Sequence, residues 1–415
     1  MISPEGDEQA RSTADAVARR SYGKLVAFLA ARTHDVAAAE DALSEAFASA
    51  LADWPRNGCP RNPEAWLLTV ARRKTIDMFR ASRRHDSSSE ELELIEAALA
   101  APAQNEIPDE RLAMMFACAH PSIDAATRAP LILQAVLGLD AKRIASAFLA
   151  SPAAMGKRLV RAKEKIRQAG IPIRVPGRDE LPARLDTVLN AIYAAFSEGW
   201  TDPAGVDAAR RDLTDEALFL SRLAVSLLPE EPEALGLLAL MLHAEARRRA
   251  RRSPAGEFVP LAEQDQLLWD HAQIAEAESL LHRASSMGRI GRFQLEAAVQ
   301  SAHVDRCGNG SANWSHVAEL YNALYALTGS PVVLINRALA IAEVQGAAAG
   351  LDAMPDQAAD SRLTEYQPYW AARSELLART GAFDEARRAN EIAIGLERDP
   401  AVRQFLERRR ALLPE

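Results

Sequence analysis

The sequence predicts an all-α chain. Alanine and leucine dominate it, aromatic residues make up only 6% of it, and no run alternates apolar and polar positions as a half-buried strand does. Ala and Leu lose least on entering a helix, whereas strands draw on β-branched and aromatic side chains. With 415 residues, 48% of them apolar, the chain can bury a sizeable core and divides into two or three domains.

From about Ala14 to Arg84 the pattern reads as three helices. Within them Ala37 to Leu51 is amphipathic and acidic, with Glu40, Asp41 and Glu45 close together. Such a face suits a basic or mixed protein surface and not DNA. The third helix opens at Asn62-Pro63-Glu64, a cap followed by a proline pre-set for the first turn. Its buried side starts with Ala65-Trp66-Leu67-Leu68. Arg72, Arg73, Lys74, Arg80, Arg83 and Arg84 follow, with Asp77 the one acid. Cations interleaved with Trp66 and Phe79 suit single-stranded DNA, whose phosphates meet charge and whose bases stack. The competing reading places both aromatics in the core.

The polar, acidic stretch 83–108, with Ser87-Ser88-Ser89 and Pro102, reads as a linker with a short helix around Leu92 to Leu99. A second helical unit runs from Asp109 to about Gly170 and ends in the proline-punctuated segment 171–176. Within it Leu139 to Phe148 reads as one helix capped by Asp140. Leu149-Ala150 makes a tight turn, and Ser151-Pro152 caps and opens the next helix. There Met155, Leu159, Ala162 and Ile166 form one apolar stripe. The other faces carry Lys157, Arg158, Arg161, Lys163, Lys165 and Arg167 against one acid, Glu164. Two short helices, a tight turn and a basic second helix make a helix-turn-helix, whose second helix fits the major groove. A solvated face on a structural helix is the alternative.

Beyond Leu181, helices separated by Gly and Pro breaks continue to Leu413. Glu198-Gly199-Trp200 reads as a turn. Val317 to Leu327 and Val332 to Glu343 form one helix pair. Trp370, Leu377, Gly381, Phe383, Ala386 and Ala393 have the spacing of another, of tetratricopeptide type, in which small residues let two helices pack.

Charge divides the chain. Residues 1–178 hold 25 Lys+Arg against 22 Asp+Glu, a net of +3, and the remainder 24 against 35, a net of −11. All six lysines lie in the first part, so only that part is expected to meet a polyanion. Cys59, Cys118 and Cys307 are far apart, the eight histidines are scattered, and there is no H-E-x-x-H, G-x-G-x-x-G or G-x-x-x-x-G-K-[ST] motif. No catalytic constellation, cofactor site or metal site is expected. No apolar run approaches the roughly 20 residues of a membrane span, and Met1 to Gln9 lacks an export pattern. A cytoplasmic, non-enzymatic protein is expected.

Two stretches together resemble a family. A-E-D-A-L-S-E-A-F (39–47), D-W-P (53–55) and N-P-E-A-W-L-L-T-V-A-R-R-K-T-I-D (62–77) are similar to region 2 of bacterial RNA polymerase sigma factors of the extracytoplasmic-function (ECF) type. The segment from Arg128 through R-I-A-S-A-F (143–148) to K-R-L-V-R-A-K-E-K-I-R (157–167) resembles their region 4. G-I-P-I-R-V-P (170–176), the stretch from Leu181 to Trp200 and E-P-E-A-L-G-L-L-A-L-M-L (231–242) resemble a subgroup with a long tetratricopeptide-like C-terminal extension. Ser44 departs from the usual Gln, Arg73 from the usual Asn, and Leu149 stands where many such turns place Gly. Pro130 falls inside an expected region 4 helix, which must start late or kink.

The resemblance implies a sigma region 2 bundle over 14–84, a linker over 85–108, a region 4 helix-turn-helix over 109–176 and the helical extension over 181–415. It implies core RNA polymerase and promoter DNA as partners. Asp41, Leu43, Glu45 and Phe47 would lie on the helix that docks on the polymerase. Trp66, Arg72, Arg73, Asp77 and Arg80 would lie where the melted −10 strand is held. Ala153, Ala154, Lys157, Arg158 and Arg161 would lie on the helix entering the −35 major groove, Lys157 and Arg158 being the base readers. The extension would regulate or support this activity, through a protein partner or an intramolecular contact.

Overall fold

His34 is a non-glycine residue with a positive φ, 55°, and it marks the first reversal of the chain. It ends α1 (Pro4–Thr33), and Asp35 caps α2 (Val36–Asn57) by accepting a hydrogen bond from the Ala38 amide at 2.9 Å. The computed structural model describes residues 4–82, 97, 109–147, 151–177, 179–200, 208–309, 313–357 and 360–414. Among them there are helices and no strand; one isolated bridge pairs Arg252 with Phe258. The all-α expectation holds. The expected linker 83–108, apart from Ala97, and the expected Leu149-Ala150 turn, with Phe148 before it, lie outside the described residues.

Among the described residues two compact units emerge, one from Pro4 to Leu223 and one from Ala224 onward. In the first unit α3 (Pro63–Ser82) completes a bundle with α1 and α2 around Leu25, Leu29, Leu43, Trp54, Leu67 and Leu68, all 1% exposed or less. Asn62 Oδ1 caps α3 at the Ala65 amide, 3.0 Å away, as its sequence predicts. The unit continues with α4 (Arg111–Cys118), α5 (Ala125–Leu137), α6 (Ala141–Ala147) and α7 (Pro152–Gln168). Pro130 sits within α5, which begins five residues before it. Gly138, at φ 66°, ends that helix in the left-handed region.

The first unit also takes in α8 (Leu181–Trp200) and most of α9 (Ala208–Leu227). α8 lies on α4 and α5, with Leu181, Leu185, Val188, Leu189 and Ile192 buried. Arg184 Nη1 donates to the Phe116 carbonyl at 3.3 Å. The expected turn at 198–200 is instead the last turn of α8, since the helix runs through Trp200.

In the second unit α10 (Pro232–Glu245) is apolar on every side and is enclosed by α11 (His271–Ser286) and α12 (Arg292–Asn309). Glu233 accepts from the Phe293 and Gln294 amides, supplying acceptors to the start of α12. Gly236 is required there: a Cβ would come within 2.6 Å of the Gln294 nitrogen. Helix pairs follow: α13 (Trp314–Thr328) with α14 (Pro331–Gln345), the short α15 (Ala347–Asp352), α16 (Gln367–Arg379) with α17 (Phe383–Leu396), and finally α18 (Pro400–Ala411). Ala386, Ala389 and Ala393 are buried along α17, and buried Ser374 donates to the Ala386 carbonyl at 2.8 Å. Gly381, at φ 84°, makes the turn between α16 and α17.

Candidate nucleic-acid interface

α7 has the start its sequence dictates. Ser151 Oγ accepts from the Ala154 amide at 3.2 Å, and Pro152 opens the helix. Met155, Leu159, Ala162 and Ile166 are all buried, which fixes the rotation of the helix. That rotation turns Ala153, Ala154, Lys157, Arg158 and Arg161 outward, and all five are exposed. Arg158, Arg161 and Lys165 line a cleft of about 560 Å³ with Ser122, Asp124 and Thr127 at the N-terminal end of α5. Arg128 braces the loop before α5 by donating to the Ile123 and Pro121 carbonyls. Three cations facing a helix N-terminus make a surface for phosphate oxygens.

Lys165 and Arg128 lie outside the residues first singled out for the −35 face. Lys165 follows Arg161 by four and Arg158 by seven, a helical spacing that was available. Two other cations of α7 are engaged elsewhere. Lys163 donates to Glu40 on α2 at 2.5 Å, and Arg167 pairs with Glu164 at 2.5 Å and approaches Asp35 at 3.8 Å. Burial raises the Glu40 carboxyl above its ordinary value even though Lys163 opposes the shift. The bond to Glu164 raises Arg167.

On α3, Trp66, Arg73, Asp77 and Arg80 recur at helical spacing along one face. Arg73, Asp77 and Arg80 are exposed, and Trp66 is half-buried. The Trp66 ring meets Trp54 edge-on with centroids 5.5 Å apart, so one side of it is covered. Arg72 is turned away from this face. Its guanidinium lies over the Phe28 ring at 5.1 Å, beside Arg32 over the same ring at 3.5 Å. Burial, and then Arg32, push Arg72 below its ordinary value. In this conformation it is half-buried against Phe28 of α1.

The α2 residues divide similarly. Asp41 and Glu45 are exposed, and Glu45 pairs with Lys74 of α3 at 2.8 Å. Phe47 is half-buried and stacks on Tyr22 with centroids 6.5 Å apart. Leu43 is 0% exposed. It shares the inward stripe of Ala39, Ala42, Ala46 and Ala50, so it packs in the core of the bundle.

Among the described residues no group of His, Cys, Asp and Glu could hold a metal ion, and no helix is long and apolar enough to cross a membrane. Cys118 is fully buried, and burial pushes its thiol up to about 12.

Comparison with known proteins matches two stretches of the chain to family models. Sigma-70 region 2 matches residues 17–85, and a family of unknown function (DUF6596) matches residues 184–285. The chain is 38% identical over 368 residues to the uncharacterized protein R00370 of Rhizobium meliloti (strain 1021), covering 86% of each. It is 31% identical over 186 residues to the probable RNA polymerase sigma factor RfaY of Xanthomonas campestris pv. campestris, covering 41% of this chain and 42% of that protein. No solved structure matches. The chain thus carries a sigma-70 region 2 domain at its front and belongs, over most of its length, to one family with the uncharacterized Rhizobium protein.

Proposed function

We propose that the chain is an ECF-type initiation factor that binds core RNA polymerase and directs it to promoters. α2 docks on the polymerase through Asp41, Glu45 and the exposed edge of Phe47. The Trp66, Arg73, Asp77 and Arg80 face of α3 holds the melted −10 strand by charge and stacking. α7 enters the −35 major groove, with Ala153 and Ala154 permitting close approach and Lys157 and Arg158 reading base edges. Arg161 and Lys165 bind flanking phosphates. The observation that carries the reading is the exposure of Ala153, Ala154, Lys157, Arg158, Arg161 and Lys165 on α7 in a chain whose front is a region 2 bundle. Chemistry belongs to the polymerase, and no cofactor is involved.

The helices from α10 onward form a tetratricopeptide-like extension that regulates or supports initiation. Its support is the pairing of α13 with α14 and of α16 with α17, with small residues between the paired helices. Core-binding and run-off transcription with the full chain test the proposal. Promoter-specific transcripts with core enzyme are expected. Promoter binding without core binding would make the chain a conventional DNA-binding regulator.

A further inference from the structure

The second unit holds a cleft of about 370 Å³ along α16, with α14 on one side and α18 on the other. α16 packs on α17 and touches α14, and α17 in turn carries α18. Ala371 and Ala378 lie seven residues apart on one face of α16, and with Ala372 they make a floor of small side chains. Leu339, Phe405 and Leu413, all half-buried, form its apolar walls.

Asn390 of α17 also lines this cleft, and it is only 4% exposed. Its Oδ1 is buried, and among the described residues nothing donates to it. A buried carboxamide left unpaired costs free energy that an apolar side chain of the same size would not. The other buried residues of α17, Ala386, Ala389 and Ala393, are plain packing residues, so Asn390 is the exception on its helix. Two more carboxamides, Asn336 of α14 and Gln367 at the start of α16, stand in the same lining. Its charged residues, Glu375 and Arg409, pair with each other, so the cleft offers polar groups without net charge.

We propose that this cleft binds an extended, uncharged peptide segment of a protein partner, with the Asn390 carboxamide pairing with one of its peptide groups. A carboxamide carries an acceptor and a donor side by side, and a peptide group presents the complementary N–H and C=O. Asn336 and Gln367 serve further peptide groups along the segment. In an extended strand alternate side chains point the same way, so every second residue faces the alanine floor, which favours apolar side chains. Arg409 is engaged by Glu375, so a chain-terminal carboxylate or another anion is not the recognised feature. The proposal rests on reading these helices as an extension that takes a protein partner, and not on the sigma reading of the front.

The test selects linear random octapeptides, displayed on phage with no free C-terminal carboxylate, against the full-length chain. Selected sequences are then synthesised with acetylated and amidated ends, and their affinities measured by fluorescence anisotropy. Peptides with alternating apolar residues should bind the wild type, and Asn390→Leu should weaken them about tenfold or more. The same variant should melt at a higher temperature than wild type, because it removes an unpaired buried amide. An asparagine retained only for packing would give a lower melting temperature and unchanged peptide affinity. Ala371→Phe, which fills the floor and leaves Asn390 in place, should also lose binding. Failure to select any peptide overturns the proposal, as does equal binding to wild type and Asn390→Leu. So does a requirement for a free carboxylate that disappears in Arg409→Gln. Core polymerase binding is scored separately: a chain that takes peptides but not polymerase removes the sigma reading alone, and the reverse result removes this proposal alone.

Discussion

Arg111 carries its guanidinium between Asp109 and Glu216, so that the first residue of α4 is tied to a carboxylate 105 positions later on α9. The same guanidinium lies over the Phe219 ring at 4.7 Å. Burial pushes Glu216 up against the pull of Arg111. Burial acts the same way on Asp109, but its bonds to Arg111 outweigh it and leave that carboxyl below its ordinary value. Arg111 is 6% exposed, and removing one member of such a buried set leaves uncompensated charge behind. Arg111→Ala should therefore lower the stability of the first unit by about 3 kcal/mol, read as a lower midpoint in urea. Glu216→Gln, which keeps an acceptor, should cost less.

The same packing predicts how truncations behave. Cutting the chain after Gly177 removes α8, which lies on α4 and α5. Leu181, Val188, Leu189 and Ile192 would leave their sites, at about 1.5–3 kcal/mol per fully buried side chain. That is comparable to the whole stability of a domain, about 5–15 kcal/mol. A 1–177 fragment should bind a hydrophobic dye and melt without a sharp transition, whereas a 1–227 fragment should unfold cooperatively. Equal melting curves would show that α8 contributes little.

If α7 binds DNA as proposed, its exposed cations set the salt dependence of that binding. If Lys157, Arg158, Arg161 and Lys165 each neutralise one phosphate, the slope of log K against log salt is about −3.6. Arg158→Ala with Arg161→Ala should bring it to about −1.8. That double variant should also lose −35-dependent initiation while retaining core polymerase binding, measured by fluorescence anisotropy and co-elution. Loss of core binding would contradict the separation of the two faces.

What could be read from the sequence was what neighbouring residues decide together. Ser151 and Pro152 announced the start of α7, and the stripe from Met155 to Ile166 fixed which cations face outward, because both signals lie within one helix. The start of α6 was placed two residues early, at Leu139, because Asp140 itself is the capping acceptor for the Lys142 amide. Long-range pairing was hidden. Nothing near Lys163 marks Glu40, 123 positions away, and nothing near Arg72 marks Phe28 as the ring it would cover. Leu43 was named through the family resemblance; its spacing from Ala39, Ala46 and Ala50 is that of an inward stripe, and it is buried in the bundle.

Tyr22 offers a readout of the contact between α1 and the end of α5. Burial, and then Glu40, push its phenol up to about 12. Its folded value thus lies above the unfolded one of about 10. The fold holds the protonated phenol, so this stability is complete below about pH 10 and is lost as pH rises toward 12. Tyr321 is likewise pushed up to about 12, so the difference between wild type and Tyr22→Phe isolates the signal. Ultraviolet titration of that difference should have its midpoint near 12 in the free chain. In Gly23→Ala the midpoint should fall toward 10, because the added methyl group would overlap the Val136 carbonyl, and parting α1 from α5 admits water to the ring. A midpoint near 10 in wild type would mean that Tyr22 is already solvated in the free chain.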